Sequence, residues 1–67
     1  GITSQEQRER VRRAIAKLEE KYRRVVELYY FSDLSYEEIG KTLRLPVNTV
    51  RTHLARAKQK LRDILNV

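Results

Sequence analysis

Cysteine is absent from this 67-residue chain, and histidine occurs once, as His53. The first absence excludes a disulfide framework or a thiolate metal centre. The second leaves no ordinary ligand set for a metal ion, so no metal and no cofactor are expected. Glycine and proline are nearly missing too, being confined to Gly1, Gly40 and Pro46. No segment shows the alternation of a half-buried strand. No apolar run approaches bilayer-spanning length, and no charged-then-apolar leader precedes a small-residue cleavage site. A cytoplasmic setting with no membrane contact is the expectation. No nucleophile–base pair, phosphate loop or paired carboxylate can be identified, so an enzyme is not expected. The most telling absence is local. Seven of the 15 Lys and Arg lie between Lys41 and Arg62, where no Asp or Glu occurs. The rest of the chain sets eight basic residues against all nine acidic ones, so this segment supplies the whole of the net +6.

A chain this short allows one small domain near the lower limit of unassisted folding, and it is short enough to be part of a longer protein. Its core must come from aliphatic and tyrosine side chains. Val11, Ile15, Leu18, Tyr22, Val25, Val26 and Tyr29 recur at steps of three and four, the spacing of an amphipathic helix. That stripe fits either one helix over about residues 5–31 or two helices with a break near Glu19–Glu20, where no breaker stands. Phe31-Ser32-Asp33-Leu34 ends it. Ser35-Tyr36-Glu37-Glu38 then has capping-box form, starting a short helix to about Leu43 with Leu34, Ile39 and Leu43 facing inward. Arg44-Leu45 makes a turn, and Pro46 suits the first position of a last helix to about Leu65. Val47, Val50, Leu54, Ala57, Leu61, Ile64 and Leu65 form its inward stripe. The fold class is all-α: a small bundle of three to four helices, with residues 1–67 as a single domain.

A short capped helix, a tight turn and a longer helix over about 35–43 and 46–65 make a helix-turn-helix pattern. In that pattern the N-terminal half of the second helix enters the DNA major groove. At about 100° per residue, the face opposite the apolar stripe carries Asn48, Thr52, Ala55 and Gln59, flanked by Arg51 and Arg56. Small and amide-bearing side chains permit close approach to bases, and arginines pair with guanine or clamp phosphates. Lys58, Lys60 and Arg62 lie further along and suit backbone contacts. A merely solvated helix would interleave Glu with its Lys and Arg, which this one does not. His53 falls at the edge of the stripe and reads as a packed boundary residue. Gly40, which costs about 1 kcal/mol relative to alanine inside a helix, reads as a close-packing position between the two helices. Tyr22, Tyr29, Tyr30 and Phe31 could stack single-stranded bases, but at helical spacing they read as core. Leu28 to Phe31 cannot all face one side, so Tyr30 is assigned to the surface, a modest sign of a protein partner. Lys21, Arg23 and Arg24 lie among Glu19, Glu20 and Glu27, and Arg8 to Arg13 among Glu6 and Glu9; both sets read as paired surfaces.

The segments LEEKYRRVVELYYFSDLSYEEIGKTL and LPVNTVRTHLARAKQKLRDIL, together Leu18 to Leu65, closely resemble region 4 of bacterial RNA polymerase sigma factors. The small extracytoplasmic-function type is the nearest in pattern. Gly1 to Lys17 corresponds to the first helix of such a domain or to the end of a preceding linker. The family often has proline where Glu19 stands, and glycine at Arg44 and Asn48. The resemblance implies recognition of the minus-35 promoter element in duplex DNA. By motif position, Arg51, Thr52, Ala55 and Arg56 would face bases with Asn48 and Thr49 nearby, while Ser35, Tyr36 and Lys41 would sit against phosphates. Thr49 joins Lys58 and Lys60 in the phosphate-contacting set, and Asn48 joins the base-contacting set. Two protein partners are also implied: the flap of the polymerase β subunit on an apolar surface away from DNA, and an anti-sigma factor able to occlude either surface. The domain itself would be monomeric. The effector domain of response regulators shares the four-helix layout but usually dimerises through its last helix. The tyrosine-rich second helix and the LSYEEIG and LARAKQKLR segments favour the sigma reading. A helical adaptor for acidic protein surfaces is a further alternative, one that would not distinguish duplex DNA from other polyanions.

Overall fold

The structure is a computed structural model that describes residues 3–66; Gly1, Ile2 and Val67, at the ends of the expected domain, lie outside the described residues. The described residues form four helices and no strand: α1 Ser4–Ala16, α2 Glu20–Tyr30, α3 Tyr36–Leu43 and α4 Val47–Leu65. The all-α expectation holds. The N-terminal stripe is divided between two helices, with the break at Lys17–Glu19.

No proline or glycine makes that break. The Leu18 amide donates to the Ile15 carbonyl at 3.0 Å, tightening the last turn of α1. Glu19 then takes extended backbone (φ −58°, ψ 149°) and opens α2 without a side-chain cap. The turn drops Leu18 into the core. A single helix over the same stripe would run about 40 Å at 1.5 Å per residue, too long for both halves to lie on one partner helix. Folding back lets α1 and α2 each pack against α4. The Glu19 position, where the resembling family often has proline, is therefore a break whether or not proline occupies it.

α1 opens on a capping box absent from the sequence reading: the Thr3 hydroxyl accepts from the Glu6 amide, and the Glu6 carboxylate accepts from the Thr3 amide. α2 ends at Phe31, and Asp33 turns the chain in left-handed backbone (φ 58°), which aspartate tolerates better than most residues. α3 has the predicted box: the Ser35 hydroxyl accepts from the Glu38 amide at 3.1 Å, and the Glu38 carboxylate accepts from the Ser35 amide at 2.9 Å.

α4 is the axis of the molecule and touches each of the other helices. Ile15, Leu18, Tyr22, Val25, Val26, Ile39, Val50, Leu54 and Ala57 form one core, in which Val25, Val26, Ile39 and Val50 are fully enclosed. Val11, Tyr29, Leu34, Leu43, Leu61 and Ile64 pack around its edge. Among the described residues, no helix is long and apolar enough to cross a membrane.

Candidate nucleic-acid interface

The angle between α3 and α4 depends on two residues. Gly40 is buried, and a Cβ there would lie 2.7 Å from the Leu45 carbonyl oxygen. The close approach is thus to the turn, not chiefly to the facing helix as the sequence suggested. It lets the Leu45 amide donate back to the Gly40 carbonyl at 2.8 Å. Arg44 between them takes the left-handed conformation (φ 58°, ψ 47°), the helix-ending position usually filled by glycine. Pro46 is one place earlier than expected: it is the N-cap of α4, in extended backbone, and Val47 begins the helix. The reason is the tight return at Leu45, after which one extended residue is needed to turn the chain onto the α4 axis. Pro46 still sacrifices no hydrogen bond there, and its carbonyl accepts from the Val50 amide at 3.1 Å. α4 has no side-chain cap and no acid in its first turn, so its positive end is left to solvent or to an anion.

Asn48, Arg51, Thr52, Ala55, Arg56 and Gln59 are all exposed on one broad face of α4. The Thr52 hydroxyl donates to the Asn48 carbonyl at 3.0 Å, which leaves its oxygen lone pairs and methyl group toward solvent. No ion pair engages Arg51 or Arg56 among the described residues. Of the expected phosphate contacts, Ser35 and Lys41 are exposed at the start and side of α3, Tyr36 and Thr49 are half-buried, and Lys58 is exposed. Lys60 is exposed but bends toward α2: its Nζ lies 3.7 Å from Glu19 and 5.5 Å from the Tyr22 ring centroid. Both partners of that ion pair face water, so it is worth at most about 1 kcal/mol and yields readily to a phosphate. No group of acidic, His or Cys residues that could hold a metal ion occurs among the described residues.

The sequence comparisons decide the family. Residues 8–61 match the family model described as Sigma-70, region 4. The chain is 41% identical over 65 residues to the ECF RNA polymerase sigma factor SigW of Bacillus subtilis, covering 97% of this chain and 35% of that protein. It is 44% identical over 52 residues to the ECF RNA polymerase sigma factor SigE of Mycolicibacterium smegmatis, covering 78% and 20% respectively. It is 34% identical over 59 residues to the ECF RNA polymerase sigma factor RpoE of Cereibacter sphaeroides, covering 88% and 33%. This chain belongs to the sigma-70 region 4 family. It spans about a third or less of the length of these curated relatives. The family match begins at residue 8, within α1.

The region 4 domain has a second exposed feature, on its other side. An open groove of about 850 Å³ runs between α1 and the end of α2, with Val11, Ile15, Val26 and Leu61 below and Arg8, Arg12, Tyr30 and Phe31 at its rim. Leu61 is half a turn around α4 from Thr52, so groove and basic face point apart. Tyr30 is exposed as expected, at 53%, and Phe31 equally so, at 52%. The run Leu28 to Phe31 signalled an exposed aromatic; that α1 would build a groove beside it was not legible. The α1 arginines are not paired with Glu6 and Glu9 as expected. Glu6 is used in the capping box, Arg10 donates to the Leu65 carbonyl at 3.0 Å, and the Arg12 guanidinium lies 5.3 Å from the Phe31 ring centroid. The α2 pairs do form, Arg24 with Glu20 and Arg23 with Glu27. His53 is the boundary residue expected of it, edge-on to Tyr22 with its Nδ1 buried and unpaired.

Proposed function

We propose that this region 4 domain is the promoter-recognition domain of a sigma factor: it binds the minus-35 element in the major groove and docks on the β flap of RNA polymerase. One observation carries the reading. The second helix of the helix-turn-helix presents Asn48, Arg51, Thr52, Ala55 and Arg56 together, exposed and with no acidic neighbour on the helix before Asp63. These residues face base edges. Ser35, Tyr36, Lys41, Thr49, Lys58 and Lys60 contact phosphates on either side, and the uncapped start of α4 favours a phosphate there. The groove beside Tyr30 and Phe31 receives the flap, because it is an open concavity with an apolar floor on the side away from the basic face. An anti-sigma factor would act by covering either surface. The domain works as a monomer, whereas a response-regulator effector domain would pair through the end of its last helix.

The test is a titration of isotope-labelled domain, followed by backbone amide shifts, first with a β-flap fragment and then with duplex DNA selected from a randomised library. The expected outcome is two separate sets of shifts, around Val11, Tyr30 and Phe31 for the flap and from Asn48 to Arg56 for DNA. Equal binding of the selected duplex and of heparin would support the adaptor for acidic surfaces instead. A dimer in solution would support the response-regulator type.

A further inference from the structure

Tyr29 and Tyr36 meet at the junction of α2, α3 and α4. Their ring centroids are 5.4 Å apart at an interplanar angle of 32°, and Tyr30 abuts Tyr29 edge-on at 5.0 Å. Two cations from α4 lie over this pair. The Arg51 guanidinium carbon is 5.8 Å from the Tyr36 centroid, and the Lys58 Nζ is 6.0 Å from the Tyr29 centroid. Arg51 and Lys58 are seven residues apart, two helical turns, and so share one ridge of α4. The Tyr29 phenol is pushed above its ordinary value, chiefly by the Tyr36 hydroxyl beside it, and like any tyrosine it is neutral at pH 7, with the face of its ring turned to the cation.

Resting on the DNA reading above, we propose that the half-buried Tyr36 ring, braced by Tyr29, is a positioning element that holds the Arg51 guanidinium at the edge of the reading face and thereby sets base preference at the position Arg51 contacts. Arginine carries several rotatable bonds, and fixing them at binding opposes affinity. A guanidinium held over an aromatic face by cation–π attraction loses part of that freedom beforehand, and its edge remains free to donate two parallel hydrogen bonds to guanine. Arg56, on the opposite flank of the face, has no such support among the described aromatic contacts. The two arginines that look equivalent in sequence therefore differ: Arg51 is prearranged and Arg56 is not.

The experiment measures affinity for a duplex selected from a randomised library by the unaltered domain, and for each of its single-base-pair variants. Tyr36→Leu, which removes the ring, is expected to reduce discrimination about two- to fivefold, the size of an exposed cation–π contact. The loss should occur only at the base pair where Arg51→Ala also relaxes preference, and the two changes together should do no more there than Arg51→Ala alone. Tyr36→Phe, which keeps the ring and removes the hydroxyl, should keep discrimination while losing affinity evenly across sequences. Even loss with Tyr36→Leu, or additive losses in the double variant, overturns the proposal and leaves Tyr36 as a phosphate contact. An unaltered domain that shows no sequence preference removes the DNA reading along with it. A second readout needs no variant: in the free domain the Arg51 side-chain protons should show upfield ring-current shifts, and ordinary shifts there would also overturn the proposal.

Discussion

At the scale of single residues, the two arginines and the one buried glycine have the plainest consequences. Arg56→Ala should weaken binding to the preferred duplex by about 1–3 kcal/mol and relax preference at one base pair. A uniform loss across all sequences, read in a competition titration, would show that Arg56 meets phosphate only. Gly40→Ala places a methyl carbon 2.7 Å from a backbone carbonyl that cannot swing away without opening the turn. Any gain in helix propensity, about 1 kcal/mol, is outweighed by overpacking of about 1–3 kcal/mol. A lower thermal midpoint and weaker DNA binding should appear together. Gly40 was visible in the sequence as an anomaly, but its partner was not, because the Leu45 carbonyl approaches it only after Arg44 has taken left-handed backbone.

At the scale of elements, the caps were legible and one boundary was not. The Ser35–Glu38 box follows from four adjacent residues, and it holds the Glu38 carboxyl below the usual range through the Ser35 amide and hydroxyl, with Lys41 adding to it. A depressed carboxyl contributes stability above its unfolded value, about 4.3, and loses that contribution as pH falls through the native value. The wild-type domain should therefore be more stable than Glu38→Gln at pH 7, with the gap closing below about pH 4; a pH series of thermal melts reads this directly. The break between α1 and α2 is a different matter. Glu19 already has the φ of proline, at −58°, and no described bond uses its amide. Glu19→Pro should preserve the fold: restriction of the unfolded chain adds about 0.4–1 kcal/mol, and loss of the exposed Glu19–Lys60 pair offsets up to about 1 kcal/mol of it, so the thermal midpoint should change little. A loss of helicity would mean that α1 and α2 interconvert with one continuous helix.

At the scale of the whole molecule, one core supports two surfaces that point apart. Leu54 is buried among residues from the other helices while Ala55 and Arg56, its sequence neighbours, face outward. Leu54→Ala should cost about 2–5 kcal/mol and lower affinity for duplex DNA and for the β-flap fragment together, in proportion to the unfolded fraction seen by circular dichroism. Loss of one activity alone would mean the two faces fold independently. Helical class, the capped α3, the tight turn, the core stripes and the basic face of α4 could all be read from sequence, because spacing, capping and charge act over a few residues. Only the tertiary structure decided that the N-terminal stripe folds back on itself, that α1 and Phe31 complete an open groove, that Lys60 reaches Glu19, and that the Arg51 guanidinium lies over the Tyr36 ring. Each of these joins residues far apart in the chain, and local periodicity carries no information about which distant surfaces will meet.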